Sequence, residues 1–255
     1  STDSIPQEMI IAFTDESIVE VSTHVFPESF TLLEGVAKYI FFDEKGNIFG
    51  DIVLSSYQNK GNFYCFIPRD TFHRFIPYTK HSLAHEIGFS NFSSEFTTLY
   101  LDKQFKEISA RSNKSYSLEP SNKSLKNLIE IKDKDSYLEV ILSGRIIFIS
   151  SKIIEETRSQ NKPTIYKINS NLPSNIHEML IVLLPGDQFK IPINFLINSF
   201  SLINGSIKIC LSNKQNHVLK NNINFFYTCE KEIFLERIVN SSSELAVIKF
   251  VATLK

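Results

Sequence analysis

The sequence predicts an all-β chain made of two tandem copies of one sandwich or barrel module, with a few short helices. Three observations carry this. There are 22 Phe and 9 Tyr, no Trp, and many Ile, Asn, Lys and Ser residues; aromatic and β-branched side chains favour strands, and Asn and Ser favour turns. The apolar runs have strand length and stop at turn-forming residues. Finally, the chain repeats itself: residues 7–13 (QEMIIAF) match 177–183 (HEMLIVL), and at the same offset 29–35 (SFTLLEG) match 199–205 (SFSLING). Lys38 then meets Lys208, and after a short deletion Asn62-Phe63-Tyr64 meets Asn224-Phe225-Phe226 and Phe72 meets Phe234. Hydrophobic character is kept almost position by position, as duplication requires.

Taken in order, Val36–Phe42 is an aromatic and β-branched strand that ends at the turn 43–47 (DEKGN). Ile48–Ser55 resumes as a strand, and Asn62–Ile67 is another that stops before Pro68. Many short strands at this spacing argue for a sandwich or barrel. Residues 112–134 are rich in Ser, Asn and Lys and include Pro120, which marks a linker or surface excursion with a short helix over 125–131. At 150–157 (SSKIIEET), serine followed by glutamates suggests an N-capped helix opening the second module. The expected organisation is a first barrel over 1–112, a linker over 113–145 and a second barrel over 146–255.

Charge and cysteine usage exclude several roles. Lys and Arg total 27 against 28 acidic residues, so no nucleic-acid or membrane partner is expected from charge. Cys65, Cys210 and Cys229 lie far apart, which argues against a disulfide framework or zinc knuckle and for a cytoplasmic location. The N-terminus shows no signal-peptide pattern, and the longest apolar runs, such as 179–184, fall far short of a membrane span. No dinucleotide fingerprint, phosphate-binding loop or nucleophile elbow occurs.

One constellation carries chemistry. Ser22, His24 and Glu28 share sequence parity, so a regular strand would present all three on one face, with Pro27 as the residue able to break that register. The turn 67–73 (IPRDTFH) then delivers His73. Two imidazoles and a carboxylate make a first shell for a divalent transition metal; the alternative is two unrelated, partly buried histidines. Ser22, Tyr39, Tyr64 and His85 are candidate pocket-lining residues. Tyr39, Tyr64, Phe66 and Phe72 would serve either as a wall for a sugar ring or as core, and His85-Glu86 either at the barrel mouth or in an exposed or structural role. Cys65 reads as a small core residue.

These segments resemble the cupin superfamily. His24, Glu28 and Gly35 match the second histidine, the glutamate and the glycine of its first motif, with Ser22 where the first histidine would stand. Residues 68–73 (PRDTFH) are similar to its second motif, with Asp70 in place of a glycine. Within the superfamily, 28–35, 42–46 and 67–73, with the helix from Ser151, Asn171-Leu172-Pro173 and 179–186 in copy two, resemble WbuC-type proteins of bacterial surface-polysaccharide gene clusters. The resemblance implies two jelly-roll barrels arranged as an intrachain pseudo-dimer. It also implies one divalent metal (Zn, Fe, Mn or Ni) on His24, Glu28 and His73. In copy two, Pro192, Asn194, Asn198 and Leu235 occupy the ligand positions, so no metal is expected there. The implied function is binding of a sugar-like small molecule in surface-polysaccharide or sugar metabolism; the alternative is a non-catalytic, metal-free carbohydrate-binding or scaffolding protein. Cupins host many reactions as well as plain binders, so enzyme or binder stays open on sequence grounds.

Overall fold

The computed structural model describes residues 7–89, 97–99, 103–116, 118, 128–130, 137–140, 146–157, 164–168, 176–220, 223–226 and 235–254. It divides into two compact units, Ser1–Ile131 with Ser143–Lys152, and Lys132–Leu142 with Ile153–Lys255. The first begins with β1 (Gln7–Phe13), β2 (Ser22–His24), β3 (Glu28–Glu34), β4 (Val36–Phe42) and β5 (Ile48–Ser55). It continues with β6 (Asn62–Ile67), β7 (Phe72–Pro77), β8 (Ser82–Gly88), β9 (Thr97–Leu99) and helix α1 (Lys103–Ser109). Strands β10 (Leu128–Glu130), β11 (Tyr137–Val140) and β12 (Ile146–Ser150) lead to helix α2 (Ser151–Thr157). Then come β13 (Thr164–Ile168), β14 (Ile176–Leu183), β15 (Gln188–Lys190), β16 (Phe195–Asn204) and β17 (Ser206–Leu211). The last strands are β18 (Asn216–Lys220), β19 (Ile223–Phe226), β20 (Leu235–Asn240) and β21 (Ala246–Leu254).

In the first unit the order β1-β8-β3-β6 forms one layer and β5-β4-β7-β2 the facing one. A single parallel pair, Leu54 with Asn62, joins them into one curled sheet. The second unit repeats the order strand for strand, as β14-β21-β16-β19 and β18-β17-β20-β15. Even the irregularities recur. The β3–β8 ladder slips between Leu32 and Glu34, and the β16–β21 ladder slips between Leu202 and Asn204. Eight strands in two four-stranded layers make a jelly roll, and each unit holds one. One block of the repeat needs correcting: Ser201 and Phe200 face Asn224 and Phe225 as Thr31 and Phe30 face Tyr64 and Cys65. Asn224 therefore corresponds to Tyr64 and not to Asn62. Phe234, Cys229 and residues 171–173 lie outside the described residues.

Alternation along the strands places the cores. Phe30, Leu32, Tyr39, Phe41, Leu54, Cys65 and Phe75 fill the first barrel. Ile181, Phe200, Leu202, Ile207, Ile238, Ile248 and Phe250 fill the second. On the outer face of β4 and β7, Val21, Ile40, Phe42 and Ile76 pack against Phe105 and Ile108 of α1. The fully buried Arg74 fastens that cover by donating to the carbonyls of Ile108 at 2.7 Å and Arg111 at 2.8 Å. Sequence periodicity gave no sign of this cover.

Residues 128–130 form a strand rather than part of a helix, because β10 runs parallel to β12 with Ile129 opposite Ile147; residues 125–127 and 131 lie outside the described residues. Strand β12 begins where the sequence reading starts the second barrel, and it pairs antiparallel with β6 of the first unit. Helix α2 forms at the expected place, with Ser151 N donating to Gly61 O at 2.9 Å. Among the described residues, no helix is long and apolar enough to cross a membrane.

The repeated glycines have a steric cause. Gly35 and Gly205 adopt φ of 91° and 88° at the β3–β4 and β16–β17 turns. A Cβ on either would lie 2.7 Å from a carbonyl oxygen, that of His81 or Leu245, just before β8 or β21. Gly186 has φ of 81° but nothing within 4 Å. Gly35→Ala and Gly205→Ala should therefore each lose about 2–4 kcal/mol, and Gly186→Ala only about 1 kcal/mol. Urea midpoints of the three variants check this; equal losses would show that backbone conformation alone, not close approach, selects glycine.

Candidate metal centre

Pro27 breaks the strand. Parity along one strand would have put Ser22, His24 and Glu28 on one face, but β2 ends at His24 and β3 begins at Glu28 in the opposite layer. The turn at 25–27 carries the chain across, so Glu28 meets the histidines from the facing sheet. His73 enters from β7, directly opposite Ser22 of β2. The β6–β7 turn before it is anchored by Asp70 N donating to His24 O at 2.7 Å. Asp70 has φ of 60°, a left-handed conformation that Asp tolerates better than most residues. The turn therefore takes its left-handed residue without a glycine.

The three side chains converge. Glu28 Oε1 lies 2.9 Å from His73 Nε2, and Oε2 lies 3.3 Å from His24 Nε2. One donor atom from each residue lies within 4.8 Å of the other two. Ser22 Oγ stands 3.4 Å from His73 Nε2. His73 Nδ1–H donates to the Thr71 carbonyl at 2.8 Å, which aims Nε2 at the centre, as metal-ligating imidazoles require. The His24 ring stacks on Phe26 with centroids 5.3 Å apart, and its Nδ1 is buried with no hydrogen-bond partner. Two imidazoles and a carboxylate, with the His73 ring preoriented, suit a divalent transition metal. Among the described residues, no second cluster of this kind occurs.

Burial sets the electrostatics, and the partners then decide the signs. Burial pulls the His24 pKa below its usual value; Glu28 raises it and His73 lowers it, and the net direction is down. Burial also opposes protonation of His73, but the charge and hydrogen bond of Glu28, with the Thr71 carbonyl, outweigh it and raise the pKa. For Glu28, burial alone would raise the pKa, but His73 and His24 hold it below the usual carboxylate range. Tyr39 is pushed well up by burial, then by Glu28 and Glu86, so its phenol stays protonated.

The proposed pocket residues divide. Ser22 is at the centre, and the Tyr39 ring meets His73 edge-on with centroids 5.8 Å apart. Tyr64 alternates with the inward-facing Cys65 and so lies on the outer side of its strand. His85 alternates with inward Ala84 and pairs with Glu8 at 3.2 Å. The second unit carries the equivalent buried pair, Lys249 with Glu178 at 3.2 Å, which marks both as structural positions of the sheet. Phe66 faces outward beside Phe89, and Phe72 packs 5.0 Å from Phe105, so these residues do not assemble a ring-stacking wall. Sequence reading missed Phe26 and Thr71, with only the IPRDTFH turn giving a signal, for Thr71; it placed Glu86 beside His85 as a candidate for the barrel mouth.

In the second unit, Leu235 faces Leu211 as His73 faces Phe41. Leu235 is 4% exposed within the apolar core, a burial that contributes about 1.5–3 kcal/mol. Asn198 falls where the β16–β21 ladder slips between Ile197 and Ser199. Pro192 and Asn194 precede β16 outside any strand.

No family model matches the sequence, and no curated protein matches it. Solved structures do. A mutant of salicylate 1,2-dioxygenase from Pseudoaminobacter salicylatoxidans, in complex with gentisate, aligns with a TM-score of 0.61 at 9% identity, over 97% of this chain and 68% of that one. A second mutant of that enzyme gives 0.60 at 9% identity, over 97% and 70%. A Bacillus subtilis oxalate decarboxylase with Mn(II) centres gives 0.47 at 13% identity, over 97% and 68%. The neighbours share the cupin fold. At these identities the likeness is one of fold alone.

The shifts predict a split titration in the metal-free protein. His73 should titrate above 6.5 and His24 below it. Because the His73 pKa is raised by folding, its contribution to stability is complete below 6.5 and is lost as pH rises through the folded value. Glu28 works the other way: its contribution is complete above 4.5 and is lost as pH falls through its depressed value. Histidine NMR titrations of the wild type and Glu28→Gln check this, with the variant bringing His73 down. Two imidazoles titrating together near 6.5 would contradict the assigned contacts.

Proposed function

We propose that the first unit is a metal centre of the cupin kind, with one divalent transition metal held by His24, Glu28 and His73, serving a small molecule bound in the barrel. The observation that supports it is the convergence of three donors from two facing layers in a largely apolar interior. Bound there, the metal supplies Lewis acidity toward a ligand oxygen or water. The chain's own residues shape the rest. Thr71 orients His73, Phe26 fixes the His24 ring, and Ser22 leaves room on the open side. Tyr39 presents a protonated phenol beside the centre, able to donate to a bound oxygen. Phe30, Tyr39, Phe41 and Phe75 pack the apolar core beside the centre.

The finer reading keeps a sugar-like ligand and a WbuC-like role in bacterial surface-polysaccharide or sugar metabolism. Its support is the sequence resemblance. A reducing, cytoplasmic compartment fits the buried free thiols of Cys65 and Cys210. One observation favours the metal-free alternative: Glu28 and His73 already satisfy each other directly at 2.9 Å, so the cluster can stand as a buried ion pair in a non-catalytic binder.

Metal analysis separates the two. Protein purified without an affinity tag and dialysed against Mn(II), Fe(II), Zn(II) or Ni(II) should retain about one equivalent per chain. His73→Ala should lose at least about tenfold in affinity, with the far-ultraviolet spectrum unchanged. Uptake should weaken as pH falls through the raised His73 pKa, since the proton and the metal compete for Nε2. Retention unaffected by His73→Ala, or no retention at all, would favour the metal-free binder.

A further inference from the structure

The two imidazoles of the first unit are placed by different means. His73 is aimed by its hydrogen bond to the Thr71 carbonyl. His24 is placed by packing: its ring stacks on Phe26 with centroids 5.3 Å apart and planes 20° apart. Phe26 is buried and sits on the turn that crosses between the layers. That turn is tied at both ends, by Asp70 N donating to His24 O at 2.7 Å and by Phe89 N donating to Pro27 O at 3.1 Å. Against the edge of the Phe26 ring lies Gly88, the last residue of β8, which stands opposite Glu28 in the β3–β8 ladder.

Space rather than backbone conformation accounts for a glycine there. Gly88 ends a regular strand, and its φ is not among the positive values. It shares a face of β8 with the inward Ala84. A Cβ on Gly88 would lie 2.9 Å from Phe26 Cε2 and 3.6 Å from Cδ2 and Cζ, so the ring would have to move. The second unit supplies the comparison. Gln7 stands opposite Gly88 as its repeat partner His177 stands opposite Ala252. Ala252 is buried in the apolar core, in the unit where Leu235 has the place of His73. The strand position therefore accepts a methyl group in the unit without the imidazoles and lacks one in the unit that has them.

We infer that Gly88 is a positioning residue of the metal centre, acting through Phe26: its bare backbone seats the phenyl ring, and the ring sets where the His24 imidazole stands. The inference rests on the metal reading and adds the part of the chain that fixes the second imidazole. A methyl group at position 88 pushes the ring from its seat. In a close-packed interior that displacement passes to the stacked imidazole, whose Nε2 lies 3.3 Å from Glu28 Oε2. His73 keeps its place through its own hydrogen bond. The outcome is a folded centre with all three donors present and one of them misplaced, which is enough to weaken a metal site.

Co(II) titrations of the full-length chain, followed by visible absorption, test this on the wild type, Gly88→Ala, Phe26→Leu, the double variant and Ala252→Gly. Gly88→Ala should bind Co(II) about tenfold more weakly, with altered absorption bands. In the metal-free variant the His24 ring resonances should shift while those of His73 hold. Phe26→Leu, which removes the stack, should weaken Co(II) binding by a similar factor. A leucine ends near the Cδ2 position, 3.6 Å from the added methyl, so in that background Gly88→Ala should cost less than about twofold. Ala252→Gly, a methyl removed at the equivalent place, should lower the melting temperature and leave Co(II) affinity unchanged. A Gly88→Ala chain that melts earlier but binds Co(II) like the wild type overturns the inference alone. So does an equal loss from Gly88→Ala with Phe26 or leucine at position 26. A wild-type chain that takes up no Co(II) overturns the metal reading and this inference together. Should Gly88→Ala fail to fold, the double variant should fold and match Phe26→Leu in Co(II) affinity. A double variant that also fails to fold, or Phe26→Leu with wild-type affinity, overturns the inference.

Discussion

A carboxylate that is 3% exposed, Glu28, held between two imidazoles, is the constraint around which the first unit is organised. An isolated charge at that depth would be expelled or neutralised. Glu28 stays because His73 and His24 reach it from the other layer. That requires β2 and β7 to pair at Ser22 and His73, the turn at Pro27 to cross between layers, and the β6–β7 turn to bend at Asp70. Each of these local features makes sense only together with the others.

The second unit shows the same framework without that constraint. Strand order, the bulge near the end of β3 and β16, and the glycine after it are all retained. Where the first unit has His73, the second packs Leu235 into its core. A buried ion pair costs desolvation that its mutual attraction only partly offsets, whereas an apolar side chain of similar size stabilises directly. The polar cluster of the first unit is therefore a poor choice for stability alone. The outward buried pairs, Glu8 with His85 and Glu178 with Lys249, occur in both units and so belong to the framework.

Much of this was legible in the sequence. The repeat could be read from the 29–35 and 199–205 blocks because alternation and an obligatory glycine leave a pattern that survives low identity. His24, Glu28 and His73 could be named because a cupin-like spacing singled them out. Facing was harder to read. Whether Tyr64, His85 or Glu86 points inward depends on strand register, and the slip between Leu32 and Glu34 has no sequence marker. The single-strand geometry for Ser22 to Glu28 failed because Pro27 turns the chain between sheets. The helix expected over 125–131 gave way at Leu128–Glu130 to pairing with β12, a tertiary contact that local propensity does not encode.

The most direct test of the central claim is an anomalous-difference map from crystals of the full chain grown with Mn(II) or Co(II) at neutral pH. The account predicts one peak per chain, bounded by His24 Nε2, His73 Nε2 and a Glu28 oxygen at about 2.0–2.2 Å, with Ser22 beside an open position. A map with no peak there, or with its strongest peak elsewhere in the chain, would contradict it.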